Sequence, residues 1–292
     1  MNGAAELMSA RDRVTLVTVS YNSAPVLAEL LGSVPAGVPV VVVDNGGSDA
    51  TAEVASGHGA RLLRLERNQG FGRGCNAGAA LAETEFLFFV NPDARLDPGC
   101  VEALVAFADA HPEASSANPR ILDDRGRTRF RGRSALSDPG EWVTGGIPSE
   151  ATPVPTLLGG ALFCRRSAFG AVSGFDPNIF LYHEDDDLAV RLRRQAGPAY
   201  FVPEAAVRHS GGRSSGRSTE VARFKGYHMA RSRAYVFAKY GKSLPWARTL
   251  GRALFEMILP HNLLSSRRRA KHLGQVAGAW SARSDGGKFG DA

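Results

Sequence analysis

The chain has 292 residues, of which 43% are hydrophobic and 22% are charged. These fractions describe an ordinary globular protein and exclude a disordered tail, a coiled coil or a disulfide-stapled miniprotein. The net charge of +6 favours an anionic partner, such as a nucleotide phosphate, a nucleic acid or an anionic membrane surface.

The three cysteines, Cys75, Cys100 and Cys164, lack the number and spacing of a disulfide framework or a structural zinc site. Their pattern is typical of a reducing compartment. The start of the chain lacks the apolar stretch of a signal peptide, and no apolar run approaches the ~20 residues that span a bilayer. We therefore expect a cytoplasmic protein.

Short apolar runs at 14–20, 39–43 and 85–90 predict three strands. Each run is nearly continuous rather than alternating, which is typical of strands buried on both faces of a parallel sheet. Apolar residues at helical spacing in 24–31, and a proline in the first turn of 98–110, predict two helices. This alternation predicts an α/β fold with a doubly wound sheet that is mixed but mostly parallel and is flanked by helices.

The second half of the chain is less regular. Residues 111–156 are rich in proline, glycine, serine and arginine, and we expect long loops there with at most one hairpin. A strand leading into a helix is predicted at 161–169, and a helix with an acidic first turn and basic later turns at 185–197. From 219 onward the pattern indicates helices.

Polar segments follow all three N-terminal strands, at 20–23, 44–49 and 91–93. In open α/β sheets, ligands bind beyond the carboxyl ends of the strands. Each segment alone consists of ordinary turn formers, but three at one sheet edge favour a shared binding site. The glycine-rich stretch 68–78 could bring backbone close to a phosphate or a sugar. It fits the GxGxxG dinucleotide pattern poorly, because Cys75 replaces the last glycine.

Seven segments occur in order along the chain: VSYNS, VVVDNGGSDAT, NQGFGRGCNAG, FLFFVNPDARLDPG, HPEASSANPRILDDRGR, GGALFCRRSAFGAVSGFD and FLYHEDDDLAVRLRR. Together they resemble the family 2 glycosyltransferases of the GT-A fold, and among these the bacterial rhamnosyltransferase-like members. The resemblance covers roughly residues 14–240. It implies an inverting enzyme that moves rhamnose or another hexose from a dTDP- or UDP-linked donor. The acceptor would be a hydroxyl of a saccharide or of a lipid-linked molecule in surface glycan synthesis.

The resemblance also implies a domain organisation. The catalytic domain would span 14–218, with a nucleotide-sugar half at about 14–110 and an acceptor half at about 111–218. A helical C-terminal extension would follow at 219–280. We expect a flexible N-terminus at 1–13 and a disordered tail at 281–292.

The donor-binding residues follow from the resemblance position by position. Asp44 matches the position that binds the nucleotide base or ribose, and the loop with Tyr21 and Asn22 lies beside it. The implied donor-binding set is Ser20, Tyr21, Asn22, Asp44, Asn45, Asn68, Gly70, Phe71, Arg73, Asn76, Asn91 and Asp93.

A metal site is implied by the same resemblance. Asp93 matches the end of the family's DxD-like element, which holds a divalent cation, Mg²⁺ or Mn²⁺, on the donor diphosphate. Asn91 replaces the first Asp of that element, and a neutral amide is a weaker ligand for a hard cation than a carboxylate. His209 matches a downstream position near the metal or the diphosphate. We expect Asp93 and His209 as metal ligands, and the strict need for a metal stays open.

The catalytic base is implied at Asp185, in the HEDDD segment at 183–187. Gly159, Gly160 and Glu184 match the pocket where the acceptor and the donor sugar meet. A single carboxylate base fits one in-line displacement with inversion at the anomeric carbon. The residues by themselves also fit a helix start stabilised by its dipole, at about 0.3–1 kcal/mol per charge, and they do not say which carboxylate is the base.

A membrane contact is predicted by the C-terminal region. Five apolar residues of 245–264 share most of one helical face: Trp246, Leu250, Leu254, Met257 and Ile258. Four basic residues follow: Arg267, Arg268, Arg269 and Lys271. This pattern is typical of a helix in the membrane interface, where each basic residue adds about 1 kcal/mol on anionic lipid. A helix that buries its stripe against the protein core gives the same pattern, so a peripheral contact with the inner membrane face is one of two interpretations.

Two other functions stay open at this point. A nucleotidyltransferase on a similar scaffold would carry a glycine-rich loop with Arg and Lys directly after the first strand, where this chain has SYNSAP. A nucleic-acid-binding protein would need a basic face interleaved with aromatic residues, whereas the arginines here flank acidic and glycine motifs. We therefore expect no nucleic-acid partner.

Overall fold

The computed structural model describes residues 9–209, 211, 216 and 218–284. The chain divides into two compact units. The sheet unit comprises Met1–Gln69, Gly74–Gly174 and Leu188–Ser214. The helical unit comprises Gly70–Arg73, Phe175–Asp187 and Ser215–Ala292. This division differs from a single boundary at 218, because two short internal segments belong to the helical unit.

The sheet unit is built on one mixed sheet. Its strands β1 to β10 are Val14–Ser20, Val40–Asp44, Arg61–Arg64, Phe86–Val90, Ala94–Leu96, Ser116–Leu122, Thr128–Arg129, Thr152–Val154, Ala161–Arg165 and Ala199–His209. Their order is β3-β2-β1-β4-β9-β6-β10-β5, with β7 beside β6 and β8 beside β10. The predicted mixed sheet is confirmed. Parallel pairing runs from β3 to β4 and recurs between β6 and β10, and the remaining pairs are antiparallel.

Helices occur where the apolar spacing predicts them. Helices α1 to α10 are Ala24–Ser33, Thr51–Gly57, Phe71–Ala79, Cys100–Ala110, Arg166–Ala171, Glu184–Gln195, Thr219–Lys239, Pro245–Ile258, Pro260–Leu263 and Ser266–Ser284. Two short 3-10 helices lie at Ala10–Arg13 and Pro139–Glu141. The predicted helices at 24–31 and 98–110 correspond to α1 and α4, and the predicted C-terminal helices begin with α7.

The core of the sheet unit explains the continuous apolar strands. Every residue of β1 and β4 is buried. Leu27 of α1 and Leu104 of α4 join Leu16 and Phe88 of the strands in one apolar cluster. Burying such side chains contributes roughly 1.5–3 kcal/mol each, so this cluster holds the strand ends in a fixed register.

The prediction of loops at 111–156 is wrong for the strand β6, which lies inside the sheet between β9 and β10. Its sequence, SANPRIL, contains Pro119, which lacks the N–H that a central strand donates. The register between β6 and β10 shifts immediately after the Pro119–Val202 pair. A bulge at this point accommodates the missing donor, and a single sequence gives no sign of it.

Parts of both segments predicted as chain ends are helical. Residues 10–13 form a 3-10 helix, and Arg13 forms ion pairs of 2.7 Å with both Glu85 and Asp109. At the other end, α10 continues to Ser284. The rest of the predicted N-terminal segment (1–8) and of the tail (285–292) lies outside the described residues.

In the helical unit, α7 and α10 pack with their backbones in close contact. A Cβ atom added to Gly226, Gly274 or Gly278 would lie 2.1 Å from a backbone oxygen of the opposite helix. Only glycine allows this approach. Among the described residues, no helix is long and apolar enough to cross a membrane.

Candidate active site

The Asp44 carboxylate links the ends of the second and third strands. Ser20 at the end of β1 pairs with Asp44 at the end of β2. The Asp44 side chain is buried, and its Oδ1 accepts a hydrogen bond of 2.8 Å from the Gly47 N–H. Its Oδ2 accepts one of 3.0 Å from Nε of Arg64 at the end of β3. Asp44 is therefore a fixed acceptor at the predicted edge.

Three asparagines extend this arrangement. The Asn45 Nδ2 donates to Asn68 Oδ1 at 3.0 Å, and Asn45 Oδ1 accepts from the Gln69 N–H at 2.9 Å. Asn22 has a left-handed backbone with φ of 53°, and its Oδ1 accepts from the Ser48 N–H at 2.9 Å. These bonds join the loops that follow β1, β2 and β3. The side chain of Tyr21, in the first of these loops, is 46% exposed.

The end of β4 brings Asp93 and His209 together, as the sequence predicts. His209 at the end of β10 pairs with Ala94 of β5, next to Asp93. The His209 Nε2 lies 3.1 Å from Asp93 Oδ1, and the Asn91 Nδ2 lies 3.4 Å from the same nitrogen. The Asp93 side chain is 1% exposed. Because a carboxylate only accepts, the His209 ring donates to Asp93.

Gly160 fixes the position of the His209 ring. A Cβ atom at Gly160 would lie 2.7 Å from His209 Nδ1, so no larger residue fits there without moving the ring. The Gly160 oxygen accepts a hydrogen bond from the Asn91 N–H at 3.1 Å. Gly160 and its neighbour Gly159 directly precede β9. The predicted pocket glycine thus fixes the position of the His209 ring and accepts a hydrogen bond from the Asn91 backbone.

The Asp93–His209 pair fits a divalent cation that is shared with a substrate. Among the described residues, no group of three His, Cys, Asp or Glu side chains forms a metal site on its own. Mg²⁺ in particular is held by one or two protein carboxylates together with substrate phosphates and water. One buried carboxylate and one imidazole nitrogen therefore match a cation completed by a diphosphate.

The glycine-rich stretch turns out to be mostly helix α3. A Cβ atom on Gly78 would lie 2.5 Å from the Val17 side chain, and one on Gly74 would lie 2.8 Å from that of Val19. These glycines let α3 pack directly on β1. This packing accounts for Gly74 and Gly78, and the approach of the stretch to a phosphate or a sugar stays a prediction. Asn76 lies on the same helix, beside Gly174.

Three other residues of this stretch that are predicted to bind the sugar donor, Gly70, Phe71 and Arg73, belong to the helical unit. The Phe71 N–H donates to the Phe180 oxygen at 3.0 Å, and Arg73 Nε donates to the Pro177 oxygen at 2.9 Å. A Cβ atom on Gly70 would overlap the same Phe180 oxygen. These three residues hold the 175–180 segment in place, and their donor role stays a prediction.

The acidic segment begins after two strained residues. Tyr182 and His183 both have φ of 67°, a left-handed conformation that costs of the order of 1–3 kcal/mol for a non-glycine residue. They lead into α6, whose first turn is Glu184, Asp185, Asp186 and Asp187. Strain of this kind is concentrated at functional sites, and it sets the direction from which the four carboxylates leave the backbone.

The four carboxylates have different surroundings. Asp187 is buried, and its Oδ1 accepts from the Lys239 ammonium at 2.6 Å and from the Tyr240 hydroxyl at 2.9 Å. Asp186 Oδ2 lies 3.2 Å from His183 Nδ1. Asp185 Oδ1 accepts the Asp186 N–H at 2.9 Å, and its side chain is partly exposed. Asp187 is therefore engaged in an ion pair of the fold.

Glu184 differs from its neighbours. It is buried, and Oε2 has no hydrogen-bond partner among the described residues. Burial, and after it the charge of Asp185, raises the pKa of Glu184 to about 8. Glu184 is therefore largely protonated at neutral pH, so it adds little negative charge beside Asp185.

Sequence reasoning missed the partners of these groups. Arg64, Lys239 and Tyr240 lie in segments without a recognisable motif, and they contact Asp44 and Asp187 only through the fold. A partner that lies 20 positions from Asp44, or more than 50 from Asp187, carries no local signal, so only tertiary structure identifies these pairs.

The strand order and the polar strand ends define a glycosyltransferase of the GT-A fold. The model of the family "Glycosyl transferase family 2" matches residues 15–172, and the chain belongs to this family. An N-acetylglucosaminyl-diphospho-decaprenol L-rhamnosyltransferase of Mycobacterium tuberculosis is 33% identical over 242 residues, which cover 70% of this chain and 78% of that relative.

Solved structures show the same fold. Staphylococcus aureus TarS (residues 1–349) superposes with a TM-score of 0.56 at 19% identity, covering 94% of this chain and 92% of that chain. The mannosyltransferase PcManGT of Pyrobaculum calidifontis, solved with GDP-Man and Mn²⁺, superposes with a TM-score of 0.57 at 16% identity, covering 94% and 88%. The predictions of a GT-A fold and of a nucleotide-sugar glycosyltransferase are confirmed. Membership of this family favours a glycosyltransferase over a nucleotidyltransferase or a nucleic-acid-binding protein.

Proposed function

We propose that the protein transfers rhamnose or a related hexose, with inversion, from a nucleoside-diphosphate donor to a hydroxyl of a lipid-linked saccharide in surface glycan synthesis. The observation that carries the proposal is the Asp93–His209 pair, held at the sheet edge by Gly160. The mycobacterial relative, an N-acetylglucosaminyl-diphospho-decaprenol L-rhamnosyltransferase, supports the donor sugar and the lipid-linked acceptor.

The donor side of the reaction uses the sheet edge. The buried Asp44 carboxylate would hold the loop that contacts the nucleoside through its bonds to Gly47 and Arg64, and the exposed ring of Tyr21 would stack on the base. Asp93 and His209 would hold a divalent cation, Mg²⁺ or Mn²⁺. When bound, this cation supplies positive charge that stabilises the leaving diphosphate. The hydrogen bond from His209 and the steric support of Gly160 keep both ligand atoms in place before the donor binds.

The acceptor side uses Asp185 as the general base. Its partly exposed carboxylate removes the proton from the acceptor hydroxyl while that oxygen attacks the anomeric carbon. Asp187 is occupied by Lys239 and Tyr240, and Glu184 is buried and largely protonated, which favours Asp185 over both. One base and one displacement give inversion.

A transfer assay tests the proposal. The purified chain is incubated with dTDP-rhamnose, and in parallel with UDP-linked hexoses, and with N-acetylglucosaminyl-diphospho-polyprenol as acceptor. We expect transfer from one donor class, loss of activity in chelator, and a product of inverted anomeric configuration by NMR. Absence of transfer from every donor, or a product with retained configuration, would contradict the proposal.

We also propose a peripheral membrane contact through the outer face of α8 and α9. Phe255 and Ile258 are 60% and 68% exposed, whereas the buried residues of α8 are Thr249 and Ala253. Leu264, which follows α9, is 88% exposed. This apolar face precedes the basic residues of 267–271, and the combination complements an anionic lipid surface.

Co-sedimentation with vesicles tests the membrane contact. We expect salt-sensitive binding to phosphatidylglycerol vesicles and none to phosphatidylcholine vesicles. The double variant Phe255→Ser, Ile258→Ser should lose binding, while Leu62→Ser, which changes an exposed leucine of the sheet unit, should keep it. Equal binding of the two variants, or no binding of the unmodified chain at low salt, would refute the contact.

A further inference from the structure

A basic cavity of about 370 Å³ lies within the helical unit, among α7, α8, α9 and α10. Four cationic side chains line it: Arg233, Arg252, Arg268 and Lys271. Glu256 is the only carboxylate among its lining residues in the described part of the chain. The volume is within the usual range of small-molecule sites. The cavity therefore has the size of a ligand site and a clear excess of positive charge.

The four cations of this cavity lie beside a single carboxylate, Glu256, among the described residues. Among the described residues, none forms an ion pair with Arg233, Arg252 or Lys271, and the buried Nε of Arg233 has no hydrogen-bond partner. Burial, and after it the positive charge of Arg252, lowers the pKa of Arg233. The side chain of Arg233 is held over the Phe237 ring at 4.8 Å, so it has little freedom to turn away. Like charges held together in this way are relieved by a bound anion.

The cavity is separate from the apolar face of α8. Arg252 and Glu256 are one turn apart and line the cavity, whereas Leu254, Phe255 and Ile258 are exposed. At 3.6 residues per turn, Leu254 and Ile258 point away from Arg252 and Glu256, whereas Phe255 lies beside Arg252. The charges that line the cavity and the apolar surface formed by Leu254 and Ile258 are therefore on different faces of α8, and each can be changed without the other.

The position of His183 relates the cavity to the acidic segment. His183 lines the cavity, and the general base Asp185 follows two residues later. A guanidinium presents paired N–H donors that match phosphate oxygens, and several of them together suit a group with more than one negative charge. In an acceptor whose sugar is joined to a lipid through a diphosphate, the reactive hydroxyl and the diphosphate are on neighbouring groups.

We propose that this cavity binds the diphosphate group of the acceptor, with Arg233, Arg252 and Lys271 as its main contacts. The assignment of this anion to the acceptor rests on the proposed function. A phospholipid headgroup offers the same phosphate chemistry from a second source, and the experiment below separates the two.

Calorimetric titration with inorganic diphosphate, in chelator, tests the site on the full chain. Arg252→Gln removes a lining charge, and the matched control Arg248→Gln removes an exposed charge one turn away on α8. We expect Arg252→Gln to weaken diphosphate binding about 10-fold or more and Arg248→Gln to leave it within 2-fold, with unchanged unfolding temperatures. Equal affinities of the two variants, or no binding by the unmodified chain, would overturn the proposal.

Two further measurements identify the source of the anion. If it is the acceptor, Arg252→Gln raises the acceptor KM and leaves the donor KM unchanged. If it is a lipid headgroup, Arg252→Gln instead weakens binding to phosphatidylglycerol vesicles, and inorganic diphosphate does not bind, which refutes the acceptor assignment. Diphosphate binding that depends on Arg252 in a chain that transfers no sugar would leave the cavity site standing and refute the proposed function alone.

Discussion

The sheet unit and the helical unit hold their functional charges in opposite ways. In the sheet unit, Asp44 and Asp93 are buried but each has fixed partners, Arg64 and Gly47 for one and His209 for the other. In the helical unit, Glu184 is buried with one oxygen unpartnered among the described residues. Arg233 lies near Arg252, and among the described residues no carboxylate forms an ion pair with it. The charged side chains of the sheet unit are therefore fixed before a ligand binds, whereas the helical unit contains charges that a ligand can neutralise.

This difference predicts that the largest effect on turnover comes from the helical unit. Asp185→Asn keeps the shape of the side chain and removes the base, so kcat should fall by about 10²–10⁴-fold while donor binding survives. The matched control is Asp186→Asn, in the same turn, which should retain most of its activity. The assignment of the base is wrong if Asp186→Asn abolishes turnover and Asp185→Asn does not.

The next largest effect is expected at the sheet edge. Asp93→Asn should lower turnover by about 10²–10³-fold, because the cation that it would hold stabilises the leaving group by several kcal/mol. The apparent affinity for Mn²⁺, measured from activity against metal concentration, should fall as well. Asp123→Asn, which alters a surface ion pair with Arg127 in the same unit, should behave like the unmodified chain. Full activity of the unmodified chain after exhaustive chelation would contradict the metal role.

A smaller effect tests whether the sheet edge is as rigid as the structure indicates. Gly160→Ala should push the His209 ring away from Asp93 and reduce metal affinity or activity about 10–100-fold. Gly140→Ala provides the control, since an added Cβ there meets no atom within 4 Å. Similar activities of the two variants would mean that the His209 ring can move without loss of function. The sheet edge would then be less rigid than the structure indicates.

The smallest effect concerns stability rather than turnover. The pKa of Glu184 is about 8 in the folded chain against 4.5 for an ordinary glutamate. Its contribution to stability is therefore complete below pH 4.5 and is lost as the pH rises towards 8. The free energy of unfolding of Glu184→Gln, from urea titrations at pH 5 to 8, should decline less steeply than that of the unmodified chain. Glu53→Gln, an exposed change in the sheet unit, is the control and should show the same dependence of unfolding free energy on pH as the unmodified chain. If Glu184→Gln also shows the same dependence as the unmodified chain, the raised pKa of Glu184 is refuted.

The sequence predicted most of the nucleotide-binding half and less of the remainder. The runs at 14–20, 39–43 and 85–90 form strands because their apolar character is continuous, and a buried strand needs no other signal. The strand β6 was missed because Pro119 is tolerated only through a bulge in its partner strand. The order of the motifs predicted the family, since seven weak signals in one order are together specific.

Local sequence thus determined the family, the polar strand ends, and the helix start that carries Asp185, because each depends on residues that are near neighbours in the chain. Tertiary structure alone decided which charges are neutralised. Lys239 occupies Asp187, burial protonates Glu184, and four cations from three helices meet in one cavity. It also decided that Leu254, Phe255 and Ile258 of α8 are exposed. Charge neutralisation and exposure depend on distances between remote segments, and no spacing along the chain encodes those distances.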